Sequence, residues 1–237
     1  TEVVVEEEVV ENVTLEVPVK NITEELQEEV IIDETNGTLL ETEENESVEF
    51  RKGEFTTCLS CFTCNDAVDN SGDYVNLTQN IDDAGTCIDF GANHVVFNCN
   101  GFTIEGDGPP DIAMTILGFT NVTIRNCNIT GYQTGVDIQG ASSNILIENN
   151  YLENSSSYGI SITSGTGVNT TNNTFINNNG YDVYLAFGGG DVSENLFENN
   201  TFNSTDGIFI GDSIDVQNKN FTDNDFNISG DSTRFVN

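Results

Sequence analysis

Along the second half of this chain, apolar residues alternate with polar ones in short bursts, and the bursts recur. Val122 and Ile124 are followed by Ile129, and Ile145 and Ile147 by Leu152. Alternation at period two predicts half-buried strands, not helix. A third burst closes each copy: Val136-Asp137-Ile138, Ile160-Ser161-Ile162, Val183-Tyr184-Leu185 and Ile208-Phe209-Ile210. Gly135, Gly159 and Gly207 stand directly before three of the four. Each copy therefore predicts three short strands separated by turns.

The copies are in register with a column of small polar residues: Asn98, Asn126, Asn149, Asn172, Asn199 and Asp223, at spacings of 28, 23, 23, 27 and 24. One residue on stand Cys99, Cys127, Asn150, Asn173, Asn200 and Asn224. Three residues on stand Ile129, Leu152, Phe175, Phe202 and Phe226, with Phe102 one place out of step. Two residues before the first column are Val96, Ile124, Ile147, Thr170, Phe197 and Phe221. A repeat of roughly 20–30 residues marks a solenoid. Three strands per copy predict an all-β parallel β-helix of six coils, stacked at the strand spacing of about 4.8 Å. Asn suits the bends because it tolerates the left-handed region, and stacked carboxamides can bond along the column. If that first column is the buried ladder, Asn172 and Asn199 are poor glycan acceptors. The competing fold is a β-sandwich with accidental Asn spacing.

The runs Asn93–Gly106 (NHVVFNCNGFTIEG) and Asn121–Gly131 (NVTIRNCNITG) resemble right-handed β-helix repeats of the NosD-like and carbohydrate-active type, found on microbial and archaeal surfaces. Tyr74–Ile81 (YVNLTQNI) resembles the lead-in strand of such domains, so the likeness covers residues 73–237. It implies a right-handed solenoid. It says little of activity, because the group includes lyases, hydrolases, epimerases and structural proteins.

The expected organisation is an acidic N-terminal segment 1–54, a Cys-containing cap and lead-in strand 55–92, and the β-helix 93–237. Residues 1–50 carry 17 acidic residues and one Lys, a composition that favours disorder. Yet Val13, Leu15, Val17 and Val19 alternate with polar residues and Pro18, which predicts an extended strand. At the other end, Phe235 and Val236 close the sequence without a polar cap. A strand seeking an edge and an uncapped coil predict head-to-tail association of copies. The alternatives are a wall-tethered monomer or a segment folded back on its own domain.

Charge removes one class of partner. With 40 acidic and 6 basic residues the chain carries −34, so nucleic acid is excluded. No apolar run of about 18 residues exists to span a membrane. Lacking an initiator Met and a leader, the sequence reads as a processed form. Fourteen Asn-x-Ser/Thr sequons occur: Asn12, Asn21, Asn36, Asn45, Asn76, Asn121, Asn128, Asn154, Asn169, Asn172, Asn199, Asn203, Asn220 and Asn227. Chance pairing of its Asn with its Ser/Thr gives roughly 6, and the excess predicts a secreted, N-glycosylated surface protein. Cys58, Cys61, Cys64, Cys87, Cys99 and Cys127 then read as three disulfides. Cys99 is expected to bond Cys87 or Cys127.

Chemistry is sparse. His94 is the only His, and the later coils hold only Arg125, Lys219 and Arg234 as basic residues. Arg125 is expected to pair with a neighbouring acid. Carboxylates gather at Asp206, Asp212, Asp215, Asp223 and Asp225, as a chain this acidic does by chance. Asp66, Asp69 and Asp73 offer oxygens around a Gly turn, making calcium the one cofactor considered, but EF-hand spacing and a closing Glu are lacking. Gly188-Gly189-Gly190-Asp191 resembles a single calcium-type repeat. The expected function is a non-enzymatic structural subunit of an extracellular filament or surface layer. The alternative is a carbohydrate-binding or carbohydrate-processing surface protein.

Overall fold

The structure, a computed structural model, describes residues 31–33, 38–40, 55–83, 85–185, 194–210, 220–222 and 225–226. The chain divides into two units, Thr1–Val48 and Glu49–Asn237. In the first, Ile31–Asp33 pairs antiparallel with Thr38–Leu40. The predicted strand at Val13, Leu15, Val17 and Val19 lies outside the described residues.

The second unit is a right-handed parallel β-helix of about six turns. Its first face has eight parallel strands: Phe55–Cys58, Tyr74–Leu77, Val96–Asn98, Thr123–Arg125, Leu146–Glu148, Asn169–Thr171, Leu196–Glu198 and Asn220–Thr222. Coil stacking thus begins at Phe55, within the stretch expected to be cap and lead-in. The second face stacks Ile81, Ile104, Ile129, Leu152, Phe175, Phe202 and Phe226 in register. The third stacks Ile88, Met114, Val136, Ile160, Val183 and Ile208. Thr103–Leu117 and Asn128–Gln139 run through the bend and join these two faces into one sheet.

Alternation does what the sequence requires of it. Ile124, Ile147, Phe197, Leu152, Phe175, Phe202, Ile160 and Val183 are all fully buried. Phe175 and Phe202 stack with centroids 5.0 Å apart and ring planes 6° from parallel. The glycines before the third burst are steric. A Cβ on Gly135 would lie 2.6 Å from the Gly159 carbonyl oxygen, and one on Gly159 2.6 Å from that of Asp182.

Two expectations about the columns change. The first copy is shifted by one: Phe97 lies opposite Ile124, and Asn98 opposite Arg125. Its bend is made by Asn100 (φ 52°) and Gly101 (φ 83°), so Ile104, not Phe102, enters the second-face column. More importantly, the two Asn columns divide the work assigned to one. Asn126, Asn149, Asn172 and Asn199 take the left-handed turn, with φ between 53° and 56°, and Asn172 and Asn199 are exposed. The buried ladder is the next column. Asn150, Asn173 and Asn200 each accept from the backbone N–H one coil earlier, at Cys127, Asn150 and Asn173, all at 2.9 Å. Their Nδ2 atoms donate to the carbonyls of Ile124, Ile147 and Thr170 at 3.1, 2.8 and 2.7 Å. Burial therefore does not remove Asn172 or Asn199 as acceptors.

All six cysteines are bridged, as Cys58–Cys64, Cys61–Cys87 and Cys99–Cys127. The first two fasten the helix Cys61–Ala67, which Ser60 caps with Thr63 in a reciprocal capping box.

Two outcomes follow. Phe202→Ala should cost about 3–5 kcal/mol in chemical or thermal unfolding; a melt shifted by only a degree or two would mean the column is not filled as described. Asn173→Ala should cost more than Asn172→Ala. The first strands two buried backbone groups, at roughly 1–3 kcal/mol each, whereas the second loses about 1–2 kcal/mol of left-handed tolerance.

Candidate functional site

The N-terminal end of the solenoid is where exposed apolar surface gathers. In the helix Cys61–Ala67, spacing by three puts Cys61, Cys64 and Ala67 on the buried side. Phe62 is left facing out, 75% exposed, beside Leu59 at 53%. Phe55, in the terminal strand of the first face, is 76% exposed, and its ring tilts against Tyr74 with centroids 5.1 Å apart. That strand pairs with Tyr74–Leu77 on one side and has no partner on the other among the described residues. Two disulfides hold this surface rigid. Reading cysteine spacing found the bridges but not the patch, whose signal was apolar residues lying between the cysteines.

A second apolar feature runs outside the third face. Tyr158 stacks on Tyr184 (4.4 Å, 16°) and Tyr184 on Phe209 (5.1 Å, 8°), while Tyr181 leans on Phe209 at 5.0 Å. These are outward positions one coil apart, and each ring is half-buried by its neighbours. Burial raises the Tyr158 phenol above its ordinary value, with Tyr184 and Tyr181 adding to it.

Among the described residues, Arg125, Tyr132 and Asp182 stand out by their surroundings. Arg125 pairs with Glu148 of the next coil (3.7 Å), lies 5.2 Å over the Tyr74 ring and donates to the Tyr74 hydroxyl. It meets the acid the sequence predicted and serves the outer surface of the first face. Tyr132 is fully buried, its ring occupying the space that a Cβ on Gly106 would need. Its hydroxyl has no hydrogen-bond partner. Burial, then Asp83, Asp111, Asp107 and Asp82, push that phenol far upward, so it stays protonated and out of reach of substrate. Asp182 is likewise fully buried. Its Oδ1 accepts from Asn178 Nδ2 at 2.8 Å and from the Ser204 hydroxyl, while Oδ2 is unpartnered. Burial pushes its carboxyl up to about 6, the Ser204 and Asn178 bonds pull it down, and Asp206 raises it. A shallow open groove on the second face is lined by Thr103, Asn128, Ile129, Thr130, Tyr151 and Glu153.

Asp66 and Asp69 are exposed and Asp73 half-buried. Among the described residues no three His, Cys, Asp or Glu side chains gather to hold a metal ion. Gly188–Asp191, Asp212, Asp215 and Asp223 lie outside the described residues, as do Asn12, Asn21, Asn36, Asn45, Asn227, Phe235 and Val236. Asn121, Asn154, Asn169, Asn172, Asn199 and Asn203 are exposed, and Asn76 and Asn128 half-buried. Asn220 begins a first-face strand. No helix among the described residues is long and apolar enough to cross a membrane.

The model for the right handed beta helix region matches residues 107–237. No curated protein matches the chain at a significant level. Among solved structures, the crystal structure of alginate lyase from Paenibacillus sp. str. FPU-7 is similar at TM-score 0.50 and 12% identity, covering 73% of this chain and 66% of that one. The chain thus spans just under two thirds of that protein's length, and at this identity the likeness concerns fold alone.

Asp182 predicts a pH dependence. Its folded value of about 6 lies above the ordinary 3.8, so protonation favours the folded state. That stabilisation is fully present below 3.8 and is lost as pH rises through 6. The gap corresponds to about 3 kcal/mol. The melting difference between wild type and Asp182→Asn should therefore change across this window and level off on either side. A difference constant from pH 4 to 7 would show that Asp182 titrates normally.

Proposed function

The chain belongs to the right-handed β-helix family, and from that premise we propose that it is a structural subunit of an extracellular, glycosylated filament or surface layer, assembling end to end. One observation carries this reading: the disulfide-tied apolar patch of Phe55, Leu59 and Phe62 beside a strand edge that has no partner among the described residues. The occupant it fits is a second copy. Phe55–Cys58 and Asn220–Thr222 are the two outer strands of the same parallel sheet, so a copy translated along the axis brings like-directed edges together. Parallel edges can then continue the ladder, and contacts of this heterologous kind do not close.

The chain enters the solenoid at this end. Segment 1–54 is thereby tethered at the proposed junction, and the alternating Val13, Leu15, Val17 and Val19 would complete the neighbour's terminal coil as a donated strand, with Phe235 and Val236 on the receiving side. Three disulfides and the excess of sequons support an oxidising, extracellular setting.

The groove on the second face favours a second reading, carbohydrate binding or processing, since Tyr151 there stands beside the hydroxyl, carboxamide and carboxylate groups of Thr103, Asn128, Thr130 and Glu153. Burial and Glu153 raise the Tyr151 phenol above its ordinary value, so it would line the groove as a protonated hydroxyl, and the reading covers carbohydrate binding or processing.

Full-length protein in moderate salt with calcium should form polymers visible by negative stain, and Phe62→Glu should leave single particles with an unchanged melt. Wild type sedimenting as a monomer under those conditions would end the assembly reading. Binding to one member of a glycan panel, by protein that does not polymerise, would favour the second.

A further inference from the structure

We propose that the outer surface of the third face is a lateral contact through which two copies of this chain pack side by side. The proposal stands on different residues from the end-to-end contact and does not depend on it.

The first observation is the aromatic ladder itself. Tyr158, Tyr184 and Phe209 point away from the core yet stack on one another across successive coils, with Tyr181 against them. Because the rings cover each other's faces, what remains outward is a row of ring edges and hydroxyls. Aromatic edges of this kind are enriched where proteins meet, and are poor platforms for sugars, which stack on ring faces. At the other end of the same face, Leu117 is 58% exposed.

The second observation is where glycans can go. Among the described residues, sequon asparagines lie on first-face strands (Asn76, Asn169, Asn220), on second-face strands (Asn128, Asn203) or in bends (Asn121, Asn154, Asn172, Asn199). None lies on a third-face strand: Ile88–Phe90, 112–117, 134–139, Tyr158–Ile162, Tyr181–Leu185 and Asp206–Ile210 contain no Asn at all. Among the described residues, no sequon acceptor projects from this face.

The third is complementarity to itself. In the last three described coils the third-face strands present Asp206 as their one outward charge, on a chain of net charge −34. Two copies of a ladder share one period, so a two-fold pairing sets each row of edges into the other's gaps. The face measures roughly 29 Å by 17 Å, about 500 Å² per copy, from six strands at 4.8 Å and five residues at 3.3 Å. That is below the roughly 800 Å² per partner of a standard stable interface. The contact is thus reversible in free subunits and gains from repetition when copies are linked. It should also strengthen as salt screens the shared negative charge.

The tyrosines supply their own reporter. Of the six, Tyr74 lies on the first face, Tyr151 on the second, Tyr132 in the core, and Tyr158, Tyr181 and Tyr184 on the third. Photo-oxidative dityrosine cross-linking of the full-length glycosylated protein should give covalent dimers in rising yield from 20 to 500 mM NaCl. Mapped cross-links should join Tyr158, Tyr181 or Tyr184 of two copies. Tyr184→Glu should lower the yield at least tenfold with an unchanged melt, while Phe62→Glu, which breaks only the end-to-end contact, still gives dimers linked through the same third-face tyrosines. If Tyr184→Glu fails to fold, Phe209→Ser carries the same expectation. Absence of dimers at high salt, cross-links through Tyr74 or Tyr151, or full yield from the folded variants would overturn the proposal.

Discussion

A coil that turns inside a stack leaves backbone N–H and C=O groups pointing into the core at every bend, where no strand can reach them. Unmet, each would cost about as much as the whole stability of a coil can spare. The carboxamides of Asn150, Asn173 and Asn200 meet this demand, each accepting from one backbone N–H and donating to one carbonyl of the preceding coil, while Asn150 and Asn173 also donate to the next carboxamide along. The interaction is therefore between coils, and it fixes their register as firmly as the ladders do. The column begins at Cys127, whose N–H donates to Asn150 Oδ1 while its sulfur is bonded to Cys99. A covalent staple in the early coils thus passes into a hydrogen-bonded ladder in the later ones. The opposite corner repeats the device with Ser155, Asn178 and Ser204, where Asn178 and Ser204 each accept from the backbone one coil earlier, at Ser155 and Asn178.

That constraint explains what could be read from sequence. The three strands per copy and the inward column of Phe175 and Phe202 followed from periodicity, because stacking forces like onto like, and the sequence left Cys127 as one of two candidate partners for Cys99. The division of labour between adjacent asparagines did not follow. Both columns are Asn for different reasons, one for φ and one for its carboxamide, and a sequence shows only the letter. The misplacement of the first copy has a similar cause: Asn98-Cys99-Asn100-Gly101 offers several residues that tolerate the left-handed turn, and the turn falls on Asn100 and Gly101. The hairpin of Ile31–Asp33 and Thr38–Leu40 brackets an Asn36-Gly37 pair, a turn signal overshadowed by the dense charge around it.

The surface features were the least legible. Phe55, Leu59 and Phe62 look like core in a one-dimensional pattern, and become exposed only because a seven-residue helix, pinned by two bridges, turns Cys61 and Cys64 inward. Tyr158, Tyr184 and Phe209 occupy outward strand positions, where an aromatic residue is a packing unit with its neighbours above and below. Neither pattern depends on strict sequence spacing. Coil length varies, so only the register of the folded stack brings Tyr184 over Tyr158.

Charge then decides how such a surface behaves. A body carrying −34 repels its copies at long range, but screening confines that repulsion to about 8 Å at physiological salt. Within that distance only local charge matters, and it is thin on the C-terminal half of the third face, whereas Asp66, Asp69 and Asp89 stand close to the disulfide-tied end. The buried carboxylate at Asp182 and the unpartnered phenol of Tyr132 lie inside, where they tune stability and cannot meet a substrate. Among the described residues, the buried polar groups largely serve the stack itself, through the Asn150–Asn173–Asn200 column and its Ser155–Asn178–Ser204 counterpart.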